Sequence, residues 1–179
     1  MAEKKKEVDL SRRNLFVGTF RRLRGEMDQG RPQARSSETL PILEAANTAF
    51  AAGDFPLAAA KFKELLQKEP NNNDARRRLG CCLYREAKFV QAKVEFERVL
   101  RTNREDHEAW LYLGLTLARG GSPAKAASVW KNFKDMRNVP LVREINLQSA
   151  LLEQPEPPDG AKVADAVESV LNAPPPAQS

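Results

Sequence analysis

The sequence predicts an all-α fold, in which three helical hairpins stack in a row and a C-terminal helix caps the end. Two observations carry this. The first is a period of 34 residues: Ala46, Gly80 and Gly114 share one column, Ala58, Ala92 and Ala126 a second, and Phe62, Phe96 and Trp130 a third. Self-similarity at such a period marks an array of helical units that bury their apolar faces on one another. The second is the spacing of apolar residues within each unit. Ala58, Phe62, Leu65 and Leu66 recur at three- and four-residue steps, as do Ala92, Phe96, Val99 and Leu100, which places each set on one face of a helix. Alanine, leucine, lysine, arginine and glutamate dominate the composition and favour helix throughout.

The elements follow in order. Residues 39–72 form the first repeat, with Thr39 and Asp54 expected as N-caps and Pro41 and Pro56 in first turns, where a missing N–H is harmless. AAGD separates its two helices, and KEPNNND ends it. Residues 73–106 form the second repeat, opened by Asn73 as the expected cap and broken at REAK. Residues 107–138 form the third, broken at GGSP, with Ser122 as a cap and Pro123 in the first turn. Gly80 and Gly114 sit where two helices must approach closely. The cap at 139–153, in the stretch VPLVREINLQSALLEQ, puts Leu141, Ile145 and Leu152 on one stripe and leaves Arg143, Glu144 and Gln148 as polar positions. That pattern suits the cap a solenoid needs over its last apolar face. Beyond the PEPPDG breaker, residues 154–179 read as a Pro-rich acidic tail with one short helix carrying Val163, Val167, Val170 and Leu171. A helix of about a dozen residues is marginal alone, so it either docks or frays.

These columns resemble the tetratricopeptide repeat family. The third unit carries the fullest match, with Trp110, Leu113, Gly114 and Leu117 in its first helix and Ala126 and Trp130 in its second. Pro70 matches the family's closing proline, Arg104 replaces that proline in the second repeat, and Arg76 stands where Trp110 stands in the third. The resemblance implies a right-handed solenoid with a groove along the first helices, which works by binding protein. By the family's pattern the groove positions are Leu43, Asn47, Phe50, Arg77, Cys81, Tyr84, Arg85, Leu111, Leu115 and Arg119. Arginines there favour carboxylates through paired donors, and Phe50 and Tyr84 would anchor aliphatic side chains. An acidic or C-terminal peptide is therefore the expected ligand. In the set that relatives use to clamp chaperone tails, Asn47 matches one place, but Leu43, Arg78 and Glu108 replace the residues at three others, so chaperone-tail binding is not expected.

Charge is uneven along the chain. Residues 1–39 carry ten Lys/Arg against six Asp/Glu, residues 40–152 eighteen against thirteen, and residues 153–179 one against five. The mixed middle is less basic than most nucleic-acid binders, which disfavours nucleic acid as a partner. The adjacent Cys81 and Cys82 read as reduced core residues, and the single histidine, His107, lies in a turn. Neither supplies a catalytic constellation or a set of metal ligands, so no enzyme activity, metal or cofactor is expected.

The N-terminal stretch SRRNLFVGTFRRLRG resembles a twin-arginine export motif, which points to a bacterial source, but it lacks the apolar core a working signal needs. Read as a helix, Phe16, Phe20 and Leu23 share a stripe, flanked by Arg12, Arg13, Arg21 and Arg22. This basic amphipathic arm within residues 1–38 suits docking on a partner complex, contact with an anionic membrane, or packing on the first repeat. The expectation is a cytoplasmic, non-enzymatic adaptor, peripheral at the inner face of a membrane. A dedicated chaperone for a secreted or membrane-complex client is the alternative.

Overall fold

The computed structural model describes residues 38–173, which form eight α-helices and no strand. They are α1 (Leu40–Ala51), α2 (Phe55–Lys68), α3 (Asn73–Arg85), α4 (Phe89–Thr102), α5 (His107–Arg119), α6 (Pro123–Trp130), α7 (Val139–Leu152) and α8 (Gly160–Leu171). The pairs α1–α2, α3–α4 and α5–α6 are antiparallel hairpins, and α2 packs on α3 and α4 on α5 to join them. None of these helices is long and apolar enough to cross a membrane.

The repeat columns meet where hairpins close. Phe62, Phe96 and Trp130 are fully buried, each burial worth about 2–3 kcal/mol. Opposite them, a Cβ on Gly80 would lie 2.7 Å from the Phe96 ring, and one on Gly114 would overlap the Trp130 indole. The indole also donates to the Leu111 carbonyl at 3.2 Å. Each hairpin turn repeats one geometry. The amides of Asp54, Lys88 and Ser122 return to the carbonyls of Ala49, Leu83 and Leu117 at 2.8–2.9 Å, closing the first helix with a Schellman-type bond. The residue before each of these is left-handed: Gly53 at φ 77°, Ala87 at 57° and Gly121 at 78°.

Capping departs from expectation at three places. Asp54 caps α2 by accepting from the Leu57 amide at 3.1 Å. Asn72 rather than Asn73 caps α3, accepting from Ala75 at 3.0 Å, because Asn73 is already helical. Thr39 and Ser122 stand at cap positions without a side-chain cap bond. The cap of α5 is Asp106, which accepts from Ala109 at 2.9 Å.

The third repeat is cut short. α6 ends after eight residues, against fourteen in α2 and α4. Past Trp130 the side chains of Asn132 and Asp135 bond nearby backbone, to the Val129 carbonyl and the Arg137 amide, which competes with helix. α7 packs on α6, and α8 packs on both α7 and α5, so a second helix joins the expected cap. Val163, Ala164 and Val167 bury the apolar face of α8, and Gly160 lets its start approach the Ala118 carbonyl. On α7, the polar position Gln148 is buried, its amide donating to Glu144 at 2.8 Å.

Candidate functional site

The first helices α1, α3 and α5 carry the residues expected to line a groove, and the structure divides them into two groups. At the α5 end, α8 lies across the arginines. The Arg119 guanidinium donates to Asp165 and Glu168 at 2.5 Å each and to the Tyr84 hydroxyl at 2.8 Å. Glu168 also faces Arg85 at 3.9 Å. Burial works against the Arg119 charge, but the bonds to Glu168, Tyr84 and Asp165 outweigh it and hold the guanidinium charged. Burial pushes the Tyr84 phenol well above its ordinary range. Tyr84, Leu111 and Leu115 are buried, as is Cys81. They therefore offer no open contact area here, contrary to expectation: helix packing covers them.

Arg77 likewise differs from the free groove arginine expected. It bonds Asp106 at 2.8 Å and pairs with Glu108 at 3.0 Å and Asp74 at 3.3 Å. Burial lowers its affinity for a proton, and Glu108 and Asp106 more than restore it. Asp106 thus caps α5 with one oxygen and ties α3 to α5 with the other. Arg77 is a joint between repeats, its guanidinium already paired with three carboxylates.

The α1–α3 end keeps accessible groups. Leu43 and Phe50 are half-buried and Arg78 is exposed, whereas Arg85, though exposed, belongs to the end that faces α8. Phe50 meets Phe55 and Phe62 edge-on at 5.8 and 6.4 Å, and the Arg78 guanidinium sits 5.5 Å from its ring centre. Asn47 holds its Oδ1 buried with no hydrogen-bond partner among the described residues. An orphaned acceptor of this kind is costly unless something donates to it.

Cys81 and Cys82 are free thiols in the core. Burial pushes Cys82 up to about 12 and Cys81 higher, so neither is a reactive thiolate. No group of three metal-ligating side chains forms among the described residues. Arg12, Arg13, Phe16, Phe20, Arg21, Arg22 and Leu23, expected from the sequence to dock on a partner, lie outside the described residues.

Four residues that shape this face were not among the positions expected from the sequence to line it: Arg78, Asp106, Asp165 and Glu168. One signal was present for Asp106, which falls 34 residues after Asn72, at the same cap position. No local signal links Asp165 and Glu168 to Arg119.

Residues 49–128 match the protein-family profile for the tetratricopeptide repeat. No curated protein matches the chain at a significant level. The profile match and the packing of successive hairpins identify residues 49–128 as tetratricopeptide repeats, a helical module that generally mediates contacts between proteins.

Proposed function

We propose that this tetratricopeptide-repeat protein is a non-enzymatic adaptor. In this reading the α1–α3 end of its first-helix face binds an acidic segment of a partner protein, and the basic N-terminal arm docks on a complex or at an anionic membrane surface from the cytoplasmic side. The observation that carries the reading is α8. An acidic amphipathic helix already rests on Arg119, Tyr84 and Arg85, so these side chains accept such a ligand. The neighbouring end offers the same mixture without a helix of the described residues upon it: the Phe50 ring, the Arg78 guanidinium, and the unpartnered Asn47 acceptor. Arginine supports carboxylate recognition there, and the ring supplies apolar contact.

The test is capture from native cells at physiological salt, comparing the full chain, a form lacking residues 1–38, and the variant Phe50→Ala/Arg78→Glu. Loss of the same protein from the groove variant, with its melting temperature retained, supports groove binding. Loss of membrane or complex recovery from the truncated form alone supports the arm. If every form retains the same partners, the reading fails.

A further inference from the structure

The early end of α6 opens a cleft on the other side of the repeats, away from the first-helix groove. Where α2 and α4 continue, the chain beyond Trp130 turns aside, leaving a space of about 1010 Å³. Its walls are the end of α4, the α4–α5 turn, the start of α5 and residues 131–134. The half-buried Trp110 and the edges of Leu100 and Leu113 give it an apolar wall. The Trp110 indole N–H is already engaged by the Arg104 carbonyl at 2.8 Å, which fixes the ring in place.

The rim is cationic. Arg101, Arg104, Lys131 and Lys134 line it, against Glu97 and Glu105. Lys131 pairs with Glu153 at 2.7 Å and Glu97 with Lys93 at 3.6 Å, but Arg101, Arg104 and Lys134 have no ion pair among the described residues. Elsewhere the bases facing between helices are matched: Arg76 to Glu95, Arg77 to Asp106 and Arg119 to Glu168. Three exposed, unmatched cations around a fixed aromatic wall make a complementary surface for carboxylates flanking an apolar side chain.

We infer that this cleft is a second binding site, which takes an acidic peptide segment of a partner protein with an apolar side chain seated against Trp110. A peptide fits better than a nucleic acid, because Glu97 and Glu105 on the rim would repel a continuous row of phosphates. The site shares no residue with the proposed groove, so the two stand or fall separately.

The experiment titrates the full chain with a fluorescein-labelled synthetic peptide of alternating Asp/Glu with Leu and Phe. Controls are the same peptide with Asn/Gln in place of the acids, and an oligouridylate of similar length. Trp110 serves as an internal reporter, because Trp130 is 1 % exposed and shielded from a surface ligand. Binding should change tryptophan fluorescence, weaken with salt, and protect backbone amides of residues 97–113 and 131–134 from hydrogen exchange. The variant Arg104→Glu/Lys134→Glu should weaken it at least about tenfold while circular dichroism stays unchanged, since both side chains are exposed. Phe50→Ala should leave the protection of residues 97–113 and 131–134 unaltered. Protection confined to α1 and α3, equal binding of the amide peptide, or insensitivity to the charge reversal would each overturn the inference. Oligouridylate binding more tightly than the peptide, with steep salt dependence, would assign the cleft to nucleic acid instead.

Discussion

The second and third repeats solve one joint with different chemistry. In the third, Trp110 donates its indole N–H to the carbonyl of Arg104, six residues upstream. In the second, Arg76 occupies the same column and donates to the equivalent carbonyl, that of Pro70, at 2.6 Å. The guanidinium's second arm pairs with Glu95 at 3.0 Å, and the column of Glu95 holds Val129 in the third repeat. An ion pair with side chains 16 % and 13 % exposed thus stands where the third repeat has an apolar pair. Both versions tie the first helix to the turn before it. The difference teaches that the repeat conserves a bond to the backbone, whereas the side chain that makes it is interchangeable. The second helices also differ in reach: both cover the joint, but α4 runs on for fourteen residues and α6 ends after eight.

The largest way to break the comparison is to fill the close approaches. Gly114→Val should cost about 3 kcal/mol or more in urea unfolding, because the indole it meets is wedged in the core. Gly80→Val should cost less, since the added carbon overlaps the edge of the Phe96 ring less deeply than it would the Trp130 indole. Equal losses would show that the two seams are equally rigid.

A double-mutant cycle sharpens the contrast at Arg76. Arg76→Ala or Glu95→Ala alone should each cost about 2 kcal/mol, less than a wholly buried pair because both ends keep some solvent. The double exchange Arg76→Trp/Glu95→Val should recover most of that. If the exchange is no better than the single changes, the third repeat's solution does not transfer.

A smaller effect lies in the hairpin turns. Ala87 takes the left-handed conformation that Gly53 and Gly121 take in the other two repeats. Ala87→Gly should therefore stabilise the protein by up to about 1 kcal/mol, less the extra freedom glycine gains in the unfolded chain. A lower melting temperature for this variant would mean that the Ala87 side chain contributes contacts worth more than the strain.

The smallest effect concerns the seam between the two repeats. Tyr112 stacks on Phe96 at 5.9 Å and meets Tyr84 edge-on at 5.8 Å. Burial pushes its phenol from an ordinary 10.0 to about 12, so the neutral form is the one the fold stabilises. This contribution is intact below pH 10 and is lost as pH rises toward 12. Tyrosinate absorbance should lag a free-tyrosine titration through that window while stability falls, and Tyr112→Phe should reduce the fall. A variant with the same alkaline profile would remove Tyr112 as its source.

Much of the architecture was legible because helix packing leaves a periodic record. Small residues at Ala46, Gly80 and Gly114 and large ones at Phe62, Phe96 and Trp130 are demanded by the same close contact in each hairpin, so they recur in register. The candidate site was less legible. Family position alone put Arg77 and Arg119 in a groove, but position does not reveal whether a charge is already matched. Arg77 meets Asp106 across 29 residues and Arg119 meets Glu168 across 49, and neither distance is a helical spacing.

What the sequence determined by itself is therefore what each helix needs locally: its apolar stripe, its breakers, the small residues at its crossings, and the fact that hairpins must stack to hide their faces. Tertiary structure alone decided where α8 lands, which arginines are occupied, and that α6 ends early enough to open the cleft beside Trp110. The physical reason is that periodicity reports how a helix faces its immediate neighbours. Charge pairing and docking depend on side chains brought together by the fold, at separations along the chain that carry no repeating pattern.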